Sequence, residues 1–295
     1  MNASLIAYIS TVISDATRRP FALRAATPVG GGSINEAYRL EGTDSSRYFL
    51  KLNDVQHNNM FIFEAEGLNA IAATNTLRAP RNIAHGIADR QSYLVLEYLE
   101  LSSHGDAKLL GEQLAELHRC TATQFGFAHD NFIGTTLQPN EWKDNWIDFW
   151  REHRLGFQLR LAAQNGYGGQ LQRLGEKLLN ALPAFFESYS PQPSLLHGDL
   201  WSGNYAFLAD GTPVIFDPAT YYGDRECDLA MTELFGGYPT DFYAAYRAAY
   251  PLDAGYAIRK DLYNLYHVLN HANLFGGGYA GQAEGMMQRL LAKVG

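Results

Sequence analysis

The sequence has few cysteines, and neither belongs to a motif that would bind a metal. The two cysteines among 295 residues, Cys120 and Cys227, stand outside any CxxC or Cys/His cluster with metal-ligand spacing. A chain of this length can build a sufficient core without a disulfide. We therefore expect two reduced thiols, as is typical of a cytoplasmic protein.

Long apolar runs and a secretory leader are also missing. No stretch approaches the length of a transmembrane helix, which argues against a membrane partner. The amino terminus has neither the positive segment nor the uninterrupted apolar run of a signal peptide. Its apolar residues instead fit one face of an amphipathic helix: Leu5, Ile6, Ile9, Val12 and Ile13. These features predict a cytoplasmic location.

Basic charge is in deficit. The 23 basic and 31 acidic residues leave a formal net charge of −8, whereas nucleic-acid binders usually carry a basic face. We therefore expect no nucleic-acid partner. The chain also contains no internal repeat and no coiled-coil heptad pattern, so a monomer is the expected state.

Two regions of different character follow one another along the chain. Residues 1–100 contain a helix, a glycine-rich hairpin, a strand, a second helix and the short apolar strand at 93–99. Residues 101–295 are mainly helical, with one long helix predicted at 140–165 and a small β insert. The pattern predicts an α+β fold with a small β-rich amino-terminal domain (1–100) and a larger, mainly helical domain (101–295).

The most informative motif is His-Gly-Asp-Leu-Trp-Ser-Gly-Asn at 197–204, followed by Asp217 at the end of an apolar run. Asp199 and Asn204 are five residues apart, as are the catalytic Asp and the Mg²⁺-binding Asn of kinase catalytic loops, and a second Mg²⁺-binding Asp follows on the next hairpin. Phosphoryl transfer needs one carboxylate directed at the attacking hydroxyl and hard oxygen ligands for Mg²⁺. Each residue alone is usually a turn former. Together they predict a phosphoryl-transfer centre that uses ATP and Mg²⁺.

A glycine-rich turn and a strand lysine fit the same chemistry. Glycines let the backbone approach phosphates closely, and the turn consists of Gly30, Gly31, Gly32 and Ser33. Lys51 stands in an apolar strand, where kinases place the lysine that contacts the α- and β-phosphates and pairs with a helical glutamate. The following helix offers Glu64, near its apolar face, and Glu66, which points toward solvent. We choose Glu64 as the partner.

The strand ending near residue 99 leads directly into the predicted domain boundary. Its backbone at Glu97, Tyr98 and Leu99 is therefore the expected hydrogen-bonding partner of an adenine. A buried strand would look the same in a protein without a nucleotide, so this assignment adds little independent weight.

With these residues in view, the chain resembles the fructosamine kinase family, a branch of the protein-kinase-like fold related to aminoglycoside phosphotransferases and choline kinases. HGDxxxxN is shared by many small-molecule kinases, whereas the block at 125–155 and HGDLWSGN followed by DPA are much narrower. The segments that carry the resemblance are GGGSINEAY (30–38), FLKLN (49–53), FGFAHDNFIGTTLQPNEWKDNWIDFWREHRL (125–155), HGDLWSGN (197–204), FDPATYYGDRECDLAMTELFGG (216–237) and LYHVLNHANLFGGGY (265–279).

The resemblance implies a bilobal protein-kinase-like fold and a role for each motif. Asp199 would be the catalytic base, Asn204 and Asp217 would bind Mg²⁺, and Lys51 would form an ion pair with Glu64. The glycine turn would cover the phosphates. The family's substrates are ketoamines, such as fructosamines and ribulosamines on amines or protein lysines. Phosphorylation of the sugar 3-hydroxyl destabilises the adduct, which makes the reaction a deglycation repair.

Two positions are expected to meet the acceptor. Trp201 lies two residues after the catalytic aspartate, and its aromatic face suits the apolar face of a sugar. Of Asp224 and Asp228, one is expected to anchor the catalytic loop and the other to face a cationic amine. Asp228 precedes an apolar helix and suits an N-cap, which leaves Asp224 as the expected substrate contact.

The chain departs from protein kinases in three respects. It has His-Gly-Asp for His-Arg-Asp, Asp-Pro-Ala for Asp-Phe-Gly, and no long activation segment. Regulation by activation-loop phosphorylation and a folded protein substrate phosphorylated on Ser or Thr are therefore not expected. Many relatives carry Cys where this chain has Ser33, so a thiol switch at that position is excluded.

Two alternatives stay open at this point. One is a related phosphotransferase that acts on an aminoglycoside, choline or another small alcohol, because only the acceptor pocket would differ. The other is a non-catalytic nucleotide-binding module, against which the presence of Lys51, Asp199, Asn204 and Asp217 argues. The sequence leaves the preferred ketoamine open, as well as the choice between a free metabolite and a protein-bound substrate.

Overall fold

The computed structural model describes residues 1–30 and 35–294, which form two compact units. The first comprises Met1–Asp106 and Ala206–Pro218, and the second comprises Ala107–Tyr205 and Ala219–Gly295. This division places residues 206–218 with the amino-terminal part of the chain, whereas the sequence pattern puts a single boundary after residue 100.

A five-stranded antiparallel sheet forms the centre of the first unit, with the strand order β1-β2-β3-β5-β4. One helix precedes β1, and another lies between β3 and β4. The elements are α1 (Ala3–Thr17), β1 (Leu23–Pro28), β2 (Glu36–Gly42), β3 (Arg47–Asp54), a 3₁₀ turn (Val55–His57), α2 (Asn58–Ala73), β4 (Asn82–Ala88) and β5 (Gln91–Glu97).

The predicted amino-terminal helix is confirmed. The side chain of Asn2 caps it by accepting a hydrogen bond from the main-chain N–H of Leu5 at 2.9 Å. Ile9 and Ile13 recur at helical spacing, and both are buried against one face of the sheet, where β3 contributes Leu50 and Leu52 to the same cluster. The strand is thus covered on this face, and its intervening residue, Lys51, points to the other.

The second unit is mainly helical, and its described residues contain two short strand pairs. β8 pairs antiparallel with β11, and β6 with β7. A third pair, Tyr205–Phe207 with Pro213–Ile215, lies almost wholly in residues of the first unit. The elements from this point of the chain are α3 (Ala107–His118), β6 (Asn131–Ile133), β7 (Thr136–Gln138), α4 (Trp146–Phe149), a π-helix (Trp150–Leu155), α5 (Gly156–Gln164), α6 (Gln170–Ala181), a 3₁₀ turn (Leu182–Phe185), β8 (Ser194–Leu196), β9 (Tyr205–Phe207), β10 (Pro213–Ile215), β11 (Tyr221–Gly223), α7 (Glu226–Leu234), α8 (Thr240–Ala249), α9 (Tyr256–Phe275) and α10 (Tyr279–Val294).

The prediction of one long helix at 140–165 is wrong in two respects. The helix begins only at Trp146, because the side chain of Asn145 caps it by accepting from the N–H of Asp148 at 3.1 Å. It then passes through the π-helix, where a wider turn replaces the regular one. Trp142 lies before the helix and is 39% exposed. Trp146 and Trp150 are buried in the core, as their spacing predicts.

In the part of the chain that the structure describes, no helix combines the length and the apolar character needed to cross a membrane.

Candidate active site

Lys51 occupies the middle of β3 and is buried. Its Nζ donates to Glu64 Oε1 on α2 at 2.7 Å and to Asp217 Oδ1 at 2.5 Å. Of the two candidate glutamates, Glu64 therefore pairs with the lysine. Burial by itself would lower the pKa of Lys51, but the charges of Asp217 and Glu64 outweigh it and raise the pKa above its ordinary value. The lysine is thus held as a cation.

Asp217 follows β10 by two residues and adopts a left-handed backbone conformation with φ 57°. Such a conformation is uncommon outside glycine and often marks a functional position. Its side chain is half exposed, in contrast to that of Lys51. One oxygen of this half-exposed carboxylate is bound to the ammonium of Lys51. The other oxygen is of the type that binds a divalent cation.

The other nucleotide-binding candidates of the first unit lie at the end of β5 and in the glycine turn, of which only the first residue is described. Gly30 is exposed just after β1, whereas Gly31, Gly32 and Ser33 lie outside the described residues. Glu97 ends β5, and its carboxylate accepts from Arg78 at 2.6 Å. Its main-chain N–H is also used, donating to the carbonyl of Arg81 at 2.9 Å. Tyr98 and Leu99 come directly after the strand and are half-buried.

The catalytic-loop motif begins immediately after β8, and Asp228 fixes its first two residues. The carboxylate of Asp228 accepts from the main-chain N–H of His197 at 2.7 Å and from that of Gly198 at 2.8 Å. His118 Nε2 contacts the same carboxylate at 3.2 Å, and its Nδ1 lies 2.8 Å from the hydroxyl of Tyr246. Burial would raise the pKa of Asp228, but the hydrogen bond with His118 and the other donors hold it below its ordinary value.

Ala219 holds the loop from another side. Its main-chain N–H donates to the carbonyl of His197 at 2.9 Å. Gly198 has φ 85°, and a Cβ at that position would stand 2.0 Å from the carbonyl oxygen of Ala219. Only glycine permits both the left-handed backbone and this close approach. The glycine of His-Gly-Asp is therefore required by the packing of the loop.

Asn204 is oriented by Asp199, five residues before it. Its Nδ2 donates to the main-chain carbonyl of Asp199 at 2.8 Å and lies 3.3 Å from Asp199 Oδ2. The amide nitrogen is thus committed inside the loop, and the amide oxygen is the atom left to bind a cation. Carboxylate and amide oxygens are the ligands that Mg²⁺ prefers in proteins, so the donor types of Asn204 and Asp217 fit this ion.

Trp201 presents an aromatic face to solvent from the middle of the loop. Its side chain is 39% exposed, and the hydroxyl of Tyr238 donates to its carbonyl at 3.3 Å. The indole lies across Gly203, since a Cβ there would come within 2.2 Å of the ring. The ring therefore packs on Gly203 and is exposed to solvent elsewhere, which would allow it to stack on a sugar.

The structure does not support a substrate contact at Asp224. Its side chain is fully buried and accepts from the hydroxyls of Tyr263 at 2.5 Å and Tyr189 at 2.9 Å. It also accepts from the main-chain N–H of Glu226 at 3.0 Å, the first residue of α7. Asp224 therefore accepts from the N–H that begins α7, because this helix starts at Glu226, three residues before the start at Leu229 that an N-cap at Asp228 would give.

The whole chain matches one protein family. The model of the family described as fructosamine kinase matches residues 5–293. This chain belongs to the fructosamine kinase family. Members of the family are ATP-dependent kinases, and the resemblance inferred from the sequence is thereby confirmed.

Relatives in this family are similar over most of their length. A Synechocystis protein named probable ketoamine kinase is 49% identical over 286 residues, which cover 96% of each chain. The chloroplastic protein-ribulosamine 3-kinase of Arabidopsis thaliana is 43% identical over 259 residues, covering 86% of this chain and 79% of the relative.

Solved structures include a member of the same family and more distant proteins that share the fold. A crystal structure from Haemophilus somnus 129PT, described as a fructosamine-3-kinase, has a TM-score of 0.87 at 30% identity and covers 96% of both chains. Amicoumacin kinase has a TM-score of 0.62 at 14% identity, covering 92% of this chain and 90% of that one, which shows the fold alone. The kinase-like α+β fold predicted from the sequence, with its β-rich sheet first and its helical part second, is confirmed.

Sequence reasoning missed part of what holds the catalytic loop. Sequence patterns gave no sign that His118 lies near the loop, yet it contacts the carboxylate of Asp228, which anchors that loop. Asn131 and Gln138, inside the block at 125–155, were assigned no role, although their amides bond to the segment after Asp217. The block at 125–155 is a narrow motif of the family, which marked it as important. The motif does not show which of its residues are buried.

Proposed function

We propose that the protein is an ATP- and Mg²⁺-dependent kinase that phosphorylates the sugar 3-hydroxyl of ketoamines, such as fructosamines or ribulosamines on amines or protein lysines. The observation that carries this proposal is the family match over residues 5–293 in a chain that retains Lys51, Asp199, Asn204 and Asp217. The relatives named ketoamine kinase and ribulosamine 3-kinase support the acceptor class.

In the proposed mechanism, Asp199 accepts the proton of the sugar hydroxyl as its oxygen bonds to the γ-phosphorus and the bond to the ADP leaving group breaks. Lys51 neutralises charge on the α- and β-phosphates and is kept in place by Glu64. Asn204 and Asp217 would hold Mg²⁺, which would neutralise charge on the phosphates. An amicoumacin kinase structure contains AMP-PNP and Ca²⁺, which supports a nucleotide with a divalent cation in this fold.

The contacts outside the phosphoryl-transfer residues are proposals of the same kind. Tyr98 and Leu99 bind the adenine through their backbone, because the N–H of Glu97 already donates to Arg81. The glycine turn from Gly30 covers the phosphates. Trp201 stacks on the sugar. A monomeric state and a cytoplasmic location, both expected from the sequence, complete the proposal.

An acceptor panel tests this function. The protein is mixed with ATP and Mg²⁺ and offered ribulosyl-lysine, fructosyl-lysine, kanamycin and choline in parallel, and ADP release is measured. We expect turnover of one or both ketoamines, with NMR placing the phosphate on the 3-oxygen. Turnover of kanamycin or choline alone would replace the proposed acceptor with the first alternative.

The Asp199→Asn variant is the catalytic control. Loss of a general base typically costs about 10²–10⁴-fold in rate. We therefore expect the variant to lose ketoamine turnover while it still binds Mg·ADP in a calorimetric titration. Binding of Mg·ADP by the natural protein without turnover of any acceptor would favour a nucleotide-binding module. Full activity of Asp199→Asn would remove the catalytic assignment.

A further inference from the structure

A short hairpin in the second unit ends in a buried pair of amides that the proposed mechanism does not use. Asn131 begins β6, Gln138 ends β7, and the two residues are direct partners across the hairpin. Both side chains are buried. Gln138 Nε2 donates to Asn131 Oδ1 at 2.8 Å, so the two amides form one unit.

The remaining donors of this pair are directed at two consecutive main-chain carbonyls. Gln138 Nε2 also donates to the carbonyl of Ala219 at 3.0 Å. Asn131 Nδ2 donates to the carbonyl of Thr220 at 2.7 Å. A buried carbonyl that loses its donor is destabilised by about 1–3 kcal/mol. The pair therefore constrains the backbone at Ala219 and Thr220 strongly.

Tyr266 fixes which way the amide of Gln138 faces. Its hydroxyl donates to Gln138 Oε1 at 2.9 Å. Burial raises the pKa of Tyr266 to about 12, so the hydroxyl keeps its proton at neutral pH. With its oxygen bound to this donor, Gln138 must direct its N–H groups at Asn131 and Ala219.

Ala219 connects the amide pair to the catalytic loop. Its N–H donates to the carbonyl of His197 at 2.9 Å, two residues before Asp199. Ala219 also follows Asp217 by two residues in the sequence. We propose that Asn131 and Gln138 are positioning residues for phosphoryl transfer, which act by fixing Ala219 and Thr220 and, through Ala219, the backbone of the catalytic loop. This inference rests on the proposed kinase function.

The isosteric variant Gln138→Glu tests the direction of the hydrogen bond. A carboxylate cannot donate to the carbonyl of Ala219 and repels it instead. Because a misplacement of about 1 Å can cost about 100-fold in rate, we expect kcat at pH 8 to fall roughly 10- to 100-fold. The KM values for ATP and ketoamine should change less than about threefold, since both amide side chains are buried.

The pH profile of this variant separates positioning from mere stability. Burial raises the pKa of a carboxyl group, and the protonated form has one O–H that can donate to Ala219 again. The ratio of variant to natural kcat should therefore rise as the pH falls from 8 to 6. Leu137→Thr, at an exposed position in the same hairpin, should leave kcat and its pH profile unchanged.

Two further measurements test the positioning role even if Gln138→Glu does not fold. Tyr266→Phe keeps both amides and removes only the orienting hydroxyl, and it should lower kcat about threefold to tenfold without a new pH dependence. Hydrogen exchange followed by NMR should show faster exchange of the Ala219 amide in both variants, with α10 unchanged.

Natural kcat in both variants, or a loss that only matches their unfolded fraction at every pH, would overturn the positioning role. A natural protein without ketoamine turnover would overturn the proposed function alone. In that case unchanged Ala219 exchange in both variants would separately remove the positioning role, and faster exchange would support it.

Discussion

Lys51 and Asp217 are separated by 166 residues along the chain, and their side chains form an ion pair with an Nζ–Oδ1 distance of 2.5 Å. The same Nζ contacts Glu64 Oε1 at 2.7 Å. A buried ammonium held by two carboxylates is fixed in position and in charge, because the two negative charges offset the cost of its burial. Lys51 is therefore preorganised for the phosphate contact proposed above.

Glu64→Gln tests this preorganisation, with Glu66→Gln as a matched control on the same helix. Removal of the Glu64 charge lets Lys51 turn toward Asp217 alone, so we expect kcat/KM for ATP to fall about 10- to 100-fold. Glu66→Gln should stay within about twofold of the natural value. Equal losses in the two variants, in steady-state assays with ATP varied, would contradict the assignment of the pair.

Gly198→Ala tests whether the catalytic loop depends on its contact with Ala219. Gly198 and Gly211 share φ 85°, and alanine in a left-handed conformation costs about 1–2 kcal/mol at either position. At Gly211 a Cβ meets its nearest atom at 3.8 Å, whereas at Gly198 it meets the Ala219 carbonyl at 2.0 Å. Only Gly198→Ala should also displace the loop and lower kcat, by about 100-fold.

The comparison of the two glycine variants uses urea unfolding and kcat measured on the folded protein. Similar losses of stability with a kcat loss confined to Gly198→Ala would support the close contact as the cause. A normal kcat in Gly198→Ala would mean that the loop can shift without consequence for the reaction.

The residues predicted best from the sequence were those that local patterns specify. Spacing within 197–204 predicted that Asp199 and Asn204 act together, and their side chains lie 3.3 Å apart. The helical period of α2 distinguished Glu64 from Glu66 as the partner of Lys51. The apolar flanks of Lys51 correctly indicated a strand, because β3 is buried on both faces. Each of these signals depends only on residues that are close together in the sequence.

Contacts between distant segments could not be predicted in the same way. Asp224 and Asp228 are four residues apart on similar sequence, yet one caps α7 and bonds to tyrosines while the other accepts from the catalytic loop. Their roles depend on where α7 begins, and the observed start at Glu226 lies three residues before the start at Leu229 that an N-cap at Asp228 would give. The π-helix at Trp150–Leu155 likewise depends on packing that periodicity does not record.

Trp201→Ala tests the proposed contact with the sugar. Trp142 is an appropriate control, because the two side chains are equally exposed at 39%. Aromatic contacts of this kind contribute about 0.5–1.5 kcal/mol beyond area burial, so we expect the KM for the ketoamine to rise at least about 2- to 12-fold in Trp201→Ala. The KM for ATP should remain within about twofold.

Steady-state kinetics with the ketoamine varied at saturating ATP provide the measurement, and Trp142→Ala should leave both KM values unchanged. Trp201→Phe should recover most of the affinity because it retains an aromatic face. Equal effects of Trp201→Ala and Trp142→Ala, or no rescue by phenylalanine, would argue that Trp201 only supports the loop.

His267 makes the stability of the second unit depend on pH. Burial, assisted by the nearby His271, lowers the pKa of His267 to about 3 from its ordinary value of 6.5. Between these two values the unfolded chain binds a proton that the folded protein does not, so the free energy of unfolding falls as the pH falls. From pH 7 to pH 5 this one group should remove about 2 kcal/mol of stability.

Urea unfolding of the natural protein and of His267→Gln at pH 7 and pH 5 measures this contribution. Glutamine does not titrate, so the variant should lose about 2 kcal/mol less than the natural protein over this range, whatever its stability at pH 7. His104→Gln, at an exposed histidine, should lose as much as the natural protein. Parallel losses in all three proteins would show that His267 accepts a proton in the folded state, since only then would its removal leave the pH dependence unchanged.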